Sequence, residues 1–196
     1  MDSKEYLNIL NKIKNKNYNE GFKLLFEKDK KYWNDKLIWN KFTADINRLN
    51  EQKKIKEAND ILNSIIDLEN FPKEKNNNIL KLGLKIFDKE DNVYLLNLMK
   101  KMLYLDKDNE ILNKEYIKIL NEIIMDKLKE KKFGECRELI EEGMKINNSN
   151  EKMCYMHSIR ALLNYEEGNF EESLRDIDES IYLFNSINNN EEKDSA

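Results

Sequence analysis

Cysteine, histidine, proline and glycine are all scarce in this chain of 196 residues, which holds two, one, one and five of them. Two cysteines, Cys136 and Cys154, build no disulfide framework, and reduced thiols in a cytoplasmic protein are the expectation. One histidine leaves no second imidazole for a metal site. A single proline, Pro72, and few glycines leave long helices uninterrupted. No apolar run approaches 18 residues, and Met1-Asp-Ser-Lys-Glu5 offers no apolar core for a leader, so neither a membrane span nor a signal peptide is expected. The glycine-rich phosphate loop, the paired-cysteine knuckle and the Gly-x-Ser-x-Gly elbow are all missing.

What is abundant is charge, at 37% of residues, beside 40% apolar residues that suffice for a core under a polar exterior. Residues 1–105 carry 21 Lys/Arg and 16 Asp/Glu, whereas residues 106–196 carry 13 and 22. The lysines of the first half alternate with acids at helical spacing, the pattern of a solvated surface, and nucleic acid is not the expected partner. The acidic second half suits a basic partner.

The most informative stretch runs Ala161-Leu-Leu-Asn-Tyr-Glu-Glu-Gly168-Asn-Phe170-Glu-Glu-Ser173-Leu-Arg-Asp-Ile177. An apolar helix meets a glycine, an aromatic, two acids and a small residue, and a second apolar helix follows. This predicts a tight helical hairpin. Gly168 takes a left-handed backbone, Phe170 plugs the gap between the helices, and Ser173 lets their backbones approach. Related turns read Asn17-Tyr18-Asn19-Glu20-Gly21, Lys54-Ile55-Lys56-Glu57-Ala58 and Lys132-Phe133-Gly134-Glu135-Cys136. A fifth, near Asp91-Asn92-Val93, lacks both glycine and aromatic, and its small position falls on Leu95 or Leu96. The turn residues Tyr18, Ile55, Val93, Phe133 and Phe170 are separated by 37, 38, 40 and 37. Apolar residues recur at i, i+3, i+4 and i+7 on both sides of the turns, as in Tyr6, Leu7, Leu10 and Ile13.

That order of glycine, aromatic and small residue between two helices resembles the tetratricopeptide (TPR) repeat, whose period is 34 residues. The resemblance implies an all-α fold, a right-handed α-solenoid of about five TPR-like hairpins and about ten helices. It covers residues 1–187 as a single domain with units near 3–34, 35–72, 73–108, 109–149 and 150–187. The polar segment 188–196 is expected to be disordered. In that family the first helices of the pairs line a concave face that holds a peptide or a partner's helix, so the implied function is a non-enzymatic scaffold or adaptor. By helix phase the lining candidates are Trp39, Asn47, Lys81, Lys85, Lys118, Asn121 and Tyr155. A two-carboxylate clamp is not there: its positions hold Thr43 and Asn47, Leu80 and Leu84, Asn121 and Met125.

Other chemistry is set aside on spacing. Asp106-Lys-Asp108-Asn-Glu110 starts like a calcium loop, but Ile111 and Ile117 stand where Gly and a bidentate Glu are required. Cys154 and His157 share a helix face with Met153 and Met156, which marks packing rather than a metal or nucleophile site. No catalytic residue, metal or cofactor is expected. In the last helix Phe170, Leu174, Ile177 and Ile181 point to their own hairpin, while Tyr182, Leu183, Phe184 and Ile187 widen the apolar arc. Repeat arrays end in a polar cap, so Tyr182 and Phe184 are candidates for contact with a partner or a second copy. A structural subunit of a larger assembly is the alternative to an adaptor.

Overall fold

The computed structural model describes residues 1–87, 91–146 and 149–194, with side chains as far as Ile187. Among the described residues the protein is all-helical, with no strand. Its helices are α1 (Ser3–Lys14), α2 (Tyr18–Phe26), α3 (Lys36–Glu51), α4 (Ile55–Ile66), α5 (Asn76–Ile86), α6 (Asn92–Leu105), α7 (Glu110–Lys129), α8 (Phe133–Ile146), α9 (Asn150–Glu166) and α10 (Phe170–Asp194). Short 3-10 turns at Lys30–Tyr32 and Lys73–Lys75 precede α3 and α5. The chain forms two compact units, Met1–Leu112 and Asn113–Ala196, where one continuous array was expected. Residues 88–90, beside the least regular turn, lie outside the described residues, as do Asn147, Asn148, Ser195 and Ala196.

Four helical hairpins close through one and the same backbone turn. Lys16, Lys53, Lys131 and Gly168 have φ of 62, 57, 57 and 81°. Each stands two residues before the turn aromatic or its substitute, which opens the second helix. At each turn the amide of the left-handed residue donates to the carbonyl three back: Lys16 to Ile13, Lys53 to Asn50, Lys131 to Leu128 and Gly168 to Tyr165. The next amide reaches five back: Asn17 to Lys12, Lys54 to Leu49, Lys132 to Lys127 and Asn169 to Asn164. This is the Schellman pairing, which satisfies carbonyls left open at a helix end. Only Gly168 adopts the left-handed backbone without a steric cost, and the three lysines bear about 1 kcal/mol each. The small residues of the four turns, Gly21, Ala58, Cys136 and Ser173, are buried. At Gly21 a Cβ would stand 2.6 Å from Ile13 Cδ1, so a larger residue would require the buried Ile13 side chain to shift.

In the first unit each helix packs on its hairpin mate and on the helix two further along: α1 on α3, α3 on α5, α2 on α4 and α4 on α6. Stacking of this kind is required because one hairpin buries too little apolar surface by itself. The core between α2 and α3 is aromatic. Phe22 meets both Trp39 and Phe42 with ring centroids 5.0 Å apart, and Tyr18 meets Phe42 at 5.3 Å. The Tyr18 hydroxyl donates to buried Asp45 at 3.0 Å, and Lys41 holds the same carboxylate at 2.9 Å. The turn aromatic of this hairpin is therefore covered by the following hairpin.

In the second unit α8 and α10 both pack on α9. Cys136 is fully buried against α7, its thiol 3.7 Å from the Ile124 carbonyl, and burial pushes that thiol up from its ordinary value. The last helix continues past the boundary expected at Ile187 and runs to Asp194.

Candidate functional site

The candidates named from helix phase fall in different environments. Trp39 is half-buried in the α2–α3 aromatic cluster, and its indole N–H donates to the Trp33 carbonyl at 2.7 Å. Asn47 is half-buried on α3, while Lys81 and Lys85 are exposed one turn apart on α5. Asn121 is half-buried on α7, and exposed Lys118 stands 4.0 Å from Glu115. Tyr155 is half-buried on α9, where burial raises its phenol. Tyr182 and Phe184 are exposed on α10 at 68% and 55%. No metal-binding group of three or more His, Cys, Asp or Glu occurs among the described residues. Cys154 and His157 instead bind α10, through the Ser180 carbonyl at 3.3 Å and the Asp176 carboxylate at 2.9 Å.

Those two contacts belong to a polar seam that joins α9 to α10. Asp176 is buried and accepts from Arg160 Nε at 2.9 Å, from Asn164 Nδ2 at 2.9 Å and from His157 Nδ1. Burial alone would raise the Asp176 carboxyl, but the Arg160 and His157 hydrogen bonds more than offset it and hold it below its ordinary value. Ser173 donates to the Ala161 carbonyl at 2.8 Å, and Ser180 to the Cys154 carbonyl at 3.0 Å. A buried ion pair is tolerated only when its remaining lone pairs are bonded in this way. The seam is saturated with its own partners, which makes it structural.

Because Ser173, Asp176 and Ser180 must face α9, the apolar residues of α10 are turned elsewhere. Phe170, Leu174, Ile177, Ile181 and Phe184 follow each other at steps of four, three, four and three, so they share one stripe. All five are between 42% and 62% exposed. The expectation that Phe170, Leu174, Ile177 and Ile181 close their own hairpin is thus overturned. Phe170 plugs no gap; it stacks edge-on against Tyr165, itself exposed, with centroids 5.6 Å apart. Beside the stripe runs a groove of about 440 Å³. Its walls are Leu162 and Tyr165 on α9 and Ile177 and Ile181 on α10, over a floor of small residues that includes Ala161 and Ser173.

The shared turn pattern aligns this hairpin with the other three residue by residue. Counted from the left-handed residue, Leu174 and Ile177 correspond to Phe22 and Leu25 of α2, while Leu162 and Tyr165 correspond to Leu10 and Ile13 of α1. Phe22, Leu25 and Ile13 are completely buried and Leu10 nearly so. In that first hairpin α3 lies across the face and supplies Trp39 and Phe42. The same face of α9–α10 has no covering helix among the described residues.

The chain matches no protein-family model, no curated protein and no solved structure. Among the described residues, no helix is long and apolar enough to cross a membrane.

Proposed function

We propose that this protein is a non-enzymatic protein-binding module, a cytoplasmic scaffold or adaptor built as a right-handed TPR-like solenoid of five hairpins. Four identical left-handed turns at repeat spacing, with a buried small residue after each, support the repeat reading. The observation that carries the binding role is the half-exposed stripe from Phe170 to Phe184, an apolar surface of the kind that monomers rarely leave open. The dense polar cluster around Asp176 is buried and consumed by its own helices, which favours a structural over a catalytic use. Of the lining candidates Trp39 is engaged in its own core, so the α9–α10 face takes precedence over the first-helix face as the contact surface.

Tagged protein purified from its native cells after mild cross-linking should retain one protein, or a small set, absent from a tag-only control. Recovery of nothing above that control would overturn the adaptor reading. The heptad-like spacing of the stripe also favours a second reading, a homodimer through α10. On that second reading light scattering would return twice the chain mass for the native protein and the single mass for a Tyr182→Glu, Phe184→Glu variant, and the single mass for both would dismiss it.

A further inference from the structure

We infer that the outer face of α9–α10 receives a basic amphipathic helix from another protein. This rests on the protein-binding reading and adds to it the site and the chemistry of the partner.

The shape of the face argues for a helix. The corresponding surface of α1–α2 is filled by α3, which lays Trp39 and Phe42 against Phe22. On α9–α10 the equivalents of those buried positions stand open, between Leu162 and Tyr165 on one side and Leu174 and Ile177 on the other. Small floor residues let a backbone approach closely, and apolar steps of three and four match the knobs of a facing helix. The occupant therefore presents apolar residues at i, i+3 or i+4, and i+7.

Charge selects which helix. Glu166, Glu171 and Asp178 each follow a surface apolar residue (Tyr165, Phe170 and Ile177) and all three are exposed. Glu172 and Glu179, also exposed, lie on the opposite side of α10 from the stripe, where Glu172 lines a hollow with Arg137, Arg160 and Asp176, and they take no part in this rim. Against the rim carboxylates stands the exposed guanidinium of Arg175, 3.9 Å from Glu171. A second copy of this chain would set the same acidic rim against itself, a like-charge juxtaposition that disfavours pairing. A helix flanked by Lys or Arg meets the rim with opposite charge.

The test uses two fluorescein-labelled helical peptides of about three heptads with identical Leu and Phe seams. One carries Lys at the flanking positions and the other Glu. Fluorescence anisotropy with the full chain should show the Lys peptide binding at least about tenfold more tightly than the Glu peptide. Raising salt from about 0.05 to 0.5 M should weaken that binding. An Ile177→Ser, Ile181→Ser variant alters half-exposed positions, so its circular dichroism should match the parent while Lys-peptide binding is lost. A Glu171→Lys, Asp178→Lys variant should shift preference toward the Glu peptide, a readout that misfolding cannot mimic. Equal binding of both peptides, or binding indifferent to the serine substitutions, would overturn the inference. So would a salt-strengthened dimer that the Lys peptide fails to compete away, which assigns the face to a second copy. Cellular capture of a partner by the serine variant, undiminished, would sink the site and leave the adaptor role standing. Peptide binding without any captured cellular protein would do the reverse.

Discussion

Lys152, near the start of α9, is 1% exposed, and its ammonium finds no hydrogen-bond partner among the described residues. Burial pushes its pKa from 10.5 down to about 8. A drop of that size corresponds to about 3 kcal/mol of differential interaction between the charged and neutral forms. At pH 7 the folded protein bears this penalty in full, because the lysine remains protonated in a place that disfavours charge. Lys152→Met keeps the unbranched length and removes the charge. It should stabilise the second unit by on the order of 3 kcal/mol at neutral pH. The pH dependence has a definite sign. Between about 8 and 10.5 the unfolded chain holds the proton more firmly than the folded one, so the native protein gains stability as pH rises through that window. The advantage of the methionine variant should therefore shrink to about half by pH 9.5. Urea unfolding followed by far-ultraviolet circular dichroism, for both proteins at pH 7 and 9.5, measures the difference directly. A variant less stable than the parent at pH 7, or an advantage that is the same at both pH values, would refute the claim that an unpaired ammonium is buried there.

Three further outcomes follow from the fold. Asp176→Asn strands the Arg160 guanidinium in the α9–α10 seam and should cost about 3 kcal/mol in chemical unfolding. Because the Asp176 carboxyl is held below its ordinary value of 3.8, its contribution is present above that value and lost as pH falls through the lowered one, so the gap between parent and variant should close in acid. Lys53→Gly or Lys131→Gly relieves a left-handed lysine and should raise stability by up to about 1 kcal/mol, whereas Gly168→Ala should lower it by a similar amount. A fall in melting temperature for the glycine variants would contradict the shared turn geometry. Trp39→Ala should destabilise the first unit by about 3 kcal/mol. An unchanged melt would show that Trp39 is a free lining residue and not part of the aromatic core.

Much of the local architecture was legible in the amino-acid order because it depends on short-range rules. A left-handed residue, an aromatic and a small residue at fixed offsets specify a hairpin turn through backbone sterics alone, and Asn17–Gly21, Lys54–Ala58 and Lys132–Cys136 repeat what Gly168 announces. That Lys16, Lys53 and Lys131 take the left-handed place without a glycine was less visible, since lysine carries no preference for it; only its offset from the turn aromatic pointed there. Helix phase marked Trp39 as lining because it indicates a face but not what lies across it; the structure half-buries it against Phe22 and Phe42.

The last hairpin separates the two sources of information most clearly. Its composition by itself determined that two helices would form, turn at Gly168 and carry an apolar stripe at steps of three and four. Which side of α10 would face α9 was a tertiary decision. Phe170, Leu174, Ile177 and Ile181 would have served as an ordinary hydrophobic seam, and burying them was the natural expectation from sequence. Instead Asp176 is bonded by Arg160, His157 and Asn164, and Ser173 and Ser180 reach backbone carbonyls across the gap. These are bonds between residues up to 26 positions apart, invisible to any local pattern. Satisfying the buried polar groups fixes the rotation of α10, and its apolar stripe is thereby left exposed.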